Sequence, residues 1–166
     1  MLPQVTTSSS MRLSDILTAE RILIDLDGSL VKSKADVLRL LAEMLSPAVG
    51  SSREDVESLL AERERLQSTG IGDGVAIPHS SLDSAERQAA ALLLVPTGVE
   101  FDAIDGARVR IVFGVVGPKR ATGEHLRTLA RISRLLRDEQ TRIRLLESES
   151  PAAAYELIEG HEAAAR

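Results

Sequence analysis

The sequence predicts an α/β (α+β) fold in which a mixed central β-sheet is flanked by helices, and three observations carry that prediction. Two nearly continuous apolar runs, residues 88–95 and 109–116, read as strands covered on both faces. Stretches with helical spacing lie on either side of them, with Val37, Leu38, Leu41, Met44 and Leu45 before and Leu126, Leu129, Ile132, Leu135 and Leu136 after. A third, shorter apolar run, Val75, Ala76 and Ile77, adds a brief strand between the first helices and the long strands. Strands in this order, with helices before and after, argue for a mixed sheet with helices on its faces.

Each element has its own local signals. Residues 1–10 are Ser/Thr-rich and aperiodic and read as a flexible N-terminal tail, residues 11–160 as one domain, and residues 161–166 as a C-terminal tail. Residues 13–17 fit one helical turn capped by Ser14, and residues 22–26 a short strand that turns at Asp27 and Gly28. Ser33 followed by Asp36 predicts a capped helix start, with Pro47 and Gly50 as its stop; Ser52 followed by Asp55 predicts the next. Pro96 is expected to end the first long strand, with a loop over residues 96–107, and Gly117 and Pro118 to end the second. Helices follow over residues 122–138 and 139–146, and the last begins at Ser150-Pro151 and stops at Gly160.

Composition narrows the function classes. A chain of 166 residues with 43% hydrophobic and 27% charged residues can bury a real core as a single domain. Its net charge of -5 argues against nucleic-acid and anionic-membrane binding, and 2% aromatic residues leave little for stacking bases. With no cysteine, thiol catalysis, disulfides and zinc-thiolate sites are excluded. The N-terminus lacks secretory-signal features and no apolar run reaches membrane-spanning length, so a cytoplasmic protein without membrane insertion is the expectation.

Chemistry concentrates in residues 67–81, QSTGIGDGVAIPHSS. Pro78 fixes its own φ and keeps Ile77 extended, so His79 leaves the strand end on a stiff arm. A histidine there reads either as a satisfied structural residue or as a nucleophile, since imidazole is largely neutral near pH 7. Two further residues could join it. Arg63 follows Val56, Leu59 and Leu60 on the apolar face of its helix; it sits at the rim with its charge in water or is directed toward the following turn. His125, in the first turn of its helix, shares a face with Leu129 and Ile132 and is either packed in the core or available to an anion at the helix start. His161 reads as solvent-exposed, and Asp73 as a turn residue bonding its own backbone.

The segment ERERLQSTGIGDGVAIPHS resembles the active-site segment of the phosphotransferase system IIA domains of the fructose, mannitol and nitrogen-regulatory type (EIIA type 2), and the pattern extends over about residues 13–158. The resemblance implies that family's fold. It also implies a phosphorylatable histidine at His79, flanked by Arg63 of the ERE segment and by His125 of HLRTL. The donor it implies is the histidine-bearing phosphocarrier protein, with a IIB component or regulatory proteins as further partners and no metal or cofactor. Two positions depart from the pattern: Gln67 and Ser80 stand where the family commonly has glycine. The first raises the expectation of strain if the position needs positive φ, the second of a changed partner fit or an added phosphate donor.

The leading expectation is a phosphoryl-accepting and phosphoryl-transferring IIA protein of a regulatory branch, since the chain's SDIL start resembles that branch and no transporter domain is fused. The alternatives are a sugar-specific IIA component of a fructose or mannitol-type transporter, a phosphorylation-silent binding protein, and a small hydrolase using His79 as base. The absence of GxSxG and HExxH patterns speaks against the last.

Overall fold

The computed structural model describes residues 11–165, so the expected tail over residues 1–10 lies outside the described residues. The elements are α1 (Leu13–Ile16), β1 (Ile22–Ile24), α2 (Lys34–Val49), α3 (Arg53–Leu66), β2 (Gly70–Gly72), β3 (Val75–Ala76), β4 (His79–Leu82), β5 (Ala89–Val99), β6 (Val109–Pro118), α4 (Thr122–Arg137), α5 (Glu139–Leu146) and α6 (Pro151–Ala164). The strands form one mixed sheet in the order β1-β5-β6-β3-β2, with β4 also pairing β6 beyond β3. β5 and β6 are antiparallel, whereas β1 runs parallel to β5 and both β3 and β4 run parallel to β6.

Side-chain alternation along the strands divides the core into two layers. Ala89, Ala91, Leu93 and Val95 of β5 pack with Leu41 and Leu45 of α2 and Val56 and Leu60 of α3. Ala90, Leu92 and Leu94 pack on the opposite side with Leu13 of α1, Ile132, Leu135 and Leu136 of α4, Leu145 of α5 and Ile158 of α6. Both faces of the central strands are therefore apolar, which accounts for their unbroken hydrophobic runs.

The helix starts follow their caps: Ser33, Ser52 and Ser150 each accept a bond from the backbone N–H three residues on. Several expected stops are overridden. Pro47 lies inside α2, and it is Gly50 (φ 68) that ends the helix, its N–H donating to the Ser46 carbonyl. Pro96 does not end β5, because the ladder to β6 slips between Leu94 and Val99, and a residue without an N–H is harmless in such an irregularity. β6 likewise runs through Gly117 and Pro118, which pair with Ser81 and Leu82 of β4. β1 is shorter than expected and stops at Ile24.

At the two ends of the chain, α6 continues through Gly160 to Ala164 because its last turn is held by tertiary bonds. The Glu162 carboxylate accepts from the backbone N–H groups of Leu13 and Ser14 and from the Ser14 hydroxyl, at 2.6 to 3.0 Å. Ser14 is thus not the cap of α1; Arg12 occupies that position, its N–H donating to Asp15. Tyr155 completes the junction by donating to the Ser14 carbonyl. His161 is half-buried in the same turn, not fully exposed. Replacing Glu162 with alanine is expected to lower stability by about 1–2 kcal/mol in urea unfolding, since it orphans two backbone donors at once.

Candidate functional site

The site begins at a hairpin. Asp73 (φ 58) and Gly74 (φ 76) form a two-residue turn that joins β2 to β3 with both central residues at positive φ. The Asp73 N–H donates to the carboxylate of Asp105, so a carboxylate from the β5–β6 loop, and not Asp73's own, secures the turn. Gly70 begins β2 where a Cβ would stand 2.8 Å from the Cβ of Ala103, leaving room for glycine only. Antiparallel alignment continues back from Gly70–Ala76, with Ile77 donating to the Thr69 carbonyl.

His79 opens β4 opposite Val115 of β6. Among the described residues no strand pairs with the other edge of β4. Val75 and Ile77 belong to the α4-side layer, whereas Ala76 and Leu82 belong to the α2–α3 side. Alternation therefore turns His79 toward α4 and Ser80 toward α3. The His79 Nδ1 lies 2.7 Å from the Ile77 carbonyl oxygen. A carbonyl can only accept, so Nδ1 carries the proton and Nε2 keeps its lone pair.

His125 meets this ring from α4. At 100° per residue it falls within about 20° of Ile132 on the buried stripe that also holds Thr128 and Leu136, whereas Leu126 falls about 120° away and is 61% exposed. Leu126 is thus not on the apolar face the spacing suggested. The His79 and His125 ring centroids are 5.6 Å apart, tilted at 52°. The His125 Nδ1 is out of solvent contact and has no hydrogen-bond partner in the protein. α4 also begins without a side-chain cap, so its first-turn N–H groups favour a nearby anion.

Arg63 is half-buried near the end of α3, where its Nη1 donates to the Gln67 carbonyl at 3.0 Å. The guanidinium thus faces the turn that leads to Thr69, whose carbonyl accepts from Ile77. On α3 the buried row is Val56, Leu60 and Glu64, and Glu64, which spacing alone did not single out, is only 6% exposed. Its signal was available in the four-residue interval from Leu60, which puts a carboxylate on the core stripe. Both departures from the family pattern are conformationally neutral: Gln67 has φ -170, and Ser80 is absent from the positive-φ non-glycine residues among the described ones. Two clefts, of about 400 and 190 Å³, flank the Asp73 turn and contain none of Arg63, His79 and His125. No group of three or more metal-ligating side chains occurs among the described residues.

Burial favours the neutral form of both imidazoles. Burial is the largest influence on His79 and lowers its pKa from 6.5; the bond to Ile77 opposes it, the Arg63 charge lowers it further, and Glu64 raises it. His125 is lowered first by burial and then by the charge of His79. A neutral imidazole with a free Nε2, beside a guanidinium and a second imidazole, is equipped to attack an anionic electrophile. Because both folded pKa values lie below the unfolded value, these groups stabilise the protein fully above pH 6.5, and that stabilisation is lost as pH falls through the folded values. Ring-proton titration followed by NMR is expected to give both midpoints below 6.5, and thermal stability to fall with pH less steeply in a His79→Gln variant than in the wild type.

The model of the family described as phosphoenolpyruvate-dependent sugar phosphotransferase system, EIIA 2, matches residues 15–161. The chain is 35% identical over 149 residues to a nitrogen regulatory protein of Pseudomonas aeruginosa, covering 89% of this chain and 95% of that one. It is 34% identical over 148 residues to a nitrogen regulatory protein of Bradyrhizobium diazoefficiens, with the same coverage. Among solved structures, the nitrogen regulatory protein IIA-Ntr of Neisseria meningitidis superposes with a TM-score of 0.81 at 31% identity, covering 88% of this chain and 98% of that one. A mixed sheet between two helical layers, a match over nearly the whole length and full-length relatives lead to one conclusion: the chain belongs to the EIIA type 2 family of the phosphotransferase system.

Proposed function

We propose that this chain is a phosphoryl-accepting and phosphoryl-transferring IIA protein of a regulatory, nitrogen-related branch, with His79 as the acceptor. The single observation that carries the reading is the 2.7 Å bond from His79 Nδ1 to the Ile77 carbonyl, which leaves Nε2 as the nucleophile on the face shared with His125. The donor is the phosphohistidine of the histidine phosphocarrier protein. In the transfer, the Nε2 lone pair of His79 forms a bond to phosphorus as the donor's N–P bond breaks, and the bonding pair returns to the donor imidazole. The proton on Nδ1 stays where it is, and the Ile77 carbonyl steadies the positive charge that spreads into the ring.

The surrounding groups answer the negative charge on the phosphoryl oxygens. Arg63, anchored by one nitrogen to Gln67, offers its remaining donors, and His125 supplies a ring N–H from the start of α4. Catalysis of this kind is mostly positioning. No residue needs to surrender a proton in this step. Phosphate on His79 would then be passed to a IIB component or would alter contacts with regulatory protein targets. The regulatory branch is supported by likeness to nitrogen regulatory proteins along 95% of their length. No helix among the described residues is long and apolar enough to cross a membrane, in keeping with exchange between diffusible cytoplasmic proteins.

Incubation with phosphorylated carrier, followed by intact mass spectrometry at neutral or alkaline pH, is expected to show one added phosphoryl group. His79→Ala is expected to abolish it, while Arg63→Ala and His125→Ala slow its appearance by about 10- to 1000-fold without unfolding the domain. Labelling retained by His79→Ala would refute the assignment of the acceptor.

A further inference from the structure

Glu64 is a buried carboxylate with every oxygen engaged. Its Oε2 accepts from the Thr69 N–H at 3.0 Å and pairs with Lys34 Nζ at 2.8 Å, and its Oε1 accepts from the Thr69 hydroxyl at 2.6 Å. Thr69 is 4% exposed. Lys34, the first residue of α2, lies 4.8 Å from the centroid of the Phe101 ring and 3.6 Å from Asp102. With Glu64 buried and the Lys34 side chain still 24% exposed, the pair is a poor source of net stability, because taking the carboxylate out of water offsets much of the attraction. Its value lies in what it fixes in place.

The bonds leading out of Glu64 run to the site. The Thr69 carbonyl accepts from the Ile77 N–H at 3.0 Å, and the Ile77 carbonyl accepts from His79 Nδ1 at 2.7 Å. Next to Glu64 on the same helix, Arg63 holds the Gln67 carbonyl. Residues 67–69 are therefore clamped between α3 and β3: Arg63 and Glu64 grip them from the helix, and Ile77 joins them to the sheet. We propose that Glu64 is a positioning residue of the His79 site, setting the separation of the Arg63 guanidinium and the His79 ring through its grip on Thr69. The proposal rests on the reading of His79 as phosphoryl acceptor and extends it to a residue that touches no reacting atom.

The geometry makes the effect specific. Without the Glu64 anchor, the 67–69 segment can shift along α3, carrying with it both the carbonyl that orients Arg63 and the one that secures Ile77. Charge adds a second signature, because the charged side chains that act on the His79 ring are Arg63 and Glu64, both from α3, and His79 acts in turn on His125 of α4. Removing the carboxylate charge leaves Arg63 unopposed.

Glu64→Gln, which preserves shape, and Thr69→Val, which removes only the hydroxyl, are compared with wild type in the full chain. Three readouts are taken: the rate of phosphoryl acceptance from phosphorylated carrier, the NMR titration of His79, and thermal melting. Both variants are expected to melt cooperatively yet accept phosphate about tenfold or more slowly. The His79 midpoint is expected to fall further in Glu64→Gln. Adding Arg63→Ala to Glu64→Gln is expected to slow transfer by less than the product of the single effects, because the two act as a unit. Folded variants with wild-type rates and an unchanged His79 titration would overturn the proposal, as would independent, multiplicative effects of Glu64→Gln and Arg63→Ala. Should Glu64→Gln fail to fold, Thr69→Val decides by the same rate. Absence of label in the wild type would instead overturn the phosphoryl reading and this proposal with it, an outcome distinct from wild-type labelling that the variants leave undiminished.

Discussion

The hydrogen bond from His79 Nδ1 to the carbonyl of Ile77, two residues earlier in the same chain, is the contact on which the site depends. It selects the tautomer, fixes the ring plane and directs Nε2 away from the backbone. Pro78 favours an extended chain at Ile77, and β3 and β4 pair in turn with β6 on either side of it. The long antiparallel pairing of β5 and β6, apolar on both faces, is the platform against which this short strand pair is laid. Core burial on the two layers therefore translates directly into the orientation of one imidazole.

Three parts of the fold converge at that ring from different directions. β4 supplies His79, the first turn of α4 supplies His125 on its buried stripe, and the last turns of α3 supply Arg63 from the opposite layer. Burial lowers the pKa of both histidines, so the pair is neutral when an anionic group arrives and the uncapped start of α4 favours that group electrostatically. The same desolvation that disfavours a charged imidazole strengthens the donors that would surround a phosphoryl group. Ser80 faces the α3 side in an ordinary strand conformation, so this replacement of the usual glycine adds a hydroxyl without bending the backbone that holds His79.

What could be read in the sequence was what local chemistry decides. The serine caps of α2, α3 and α6 announced themselves because cap and donor lie three residues apart, and the doubly covered strands did so because both faces are apolar. His79, His125 and Arg63 are the candidates that the motif singles out, and the structure brings the ring centroids of the first two within 5.6 Å of each other, with Arg63 near enough to act on the His79 charge. Features set by distant partners were not. Gly160 looks like a helix stop until Glu162 is seen bonding the start of α1, and Pro96 looks like a strand end until the slipped ladder is known. Glu64 is the clearest case, since a charge on a core stripe makes sense only once Lys34, thirty positions earlier, is placed against it.

In the proposed transfer, Nε2 of His79 is the nucleophile because Nδ1 is committed to the Ile77 carbonyl. Long-range proton–nitrogen and phosphorus NMR of the ¹⁵N-labelled phosphoprotein, recorded at alkaline pH, reads this directly by showing which ring nitrogen is bonded to phosphorus. Phosphorus on Nε2 of His79, with the proton retained on Nδ1, is the expected result. Phosphorus on Nδ1, or on His125, would contradict it.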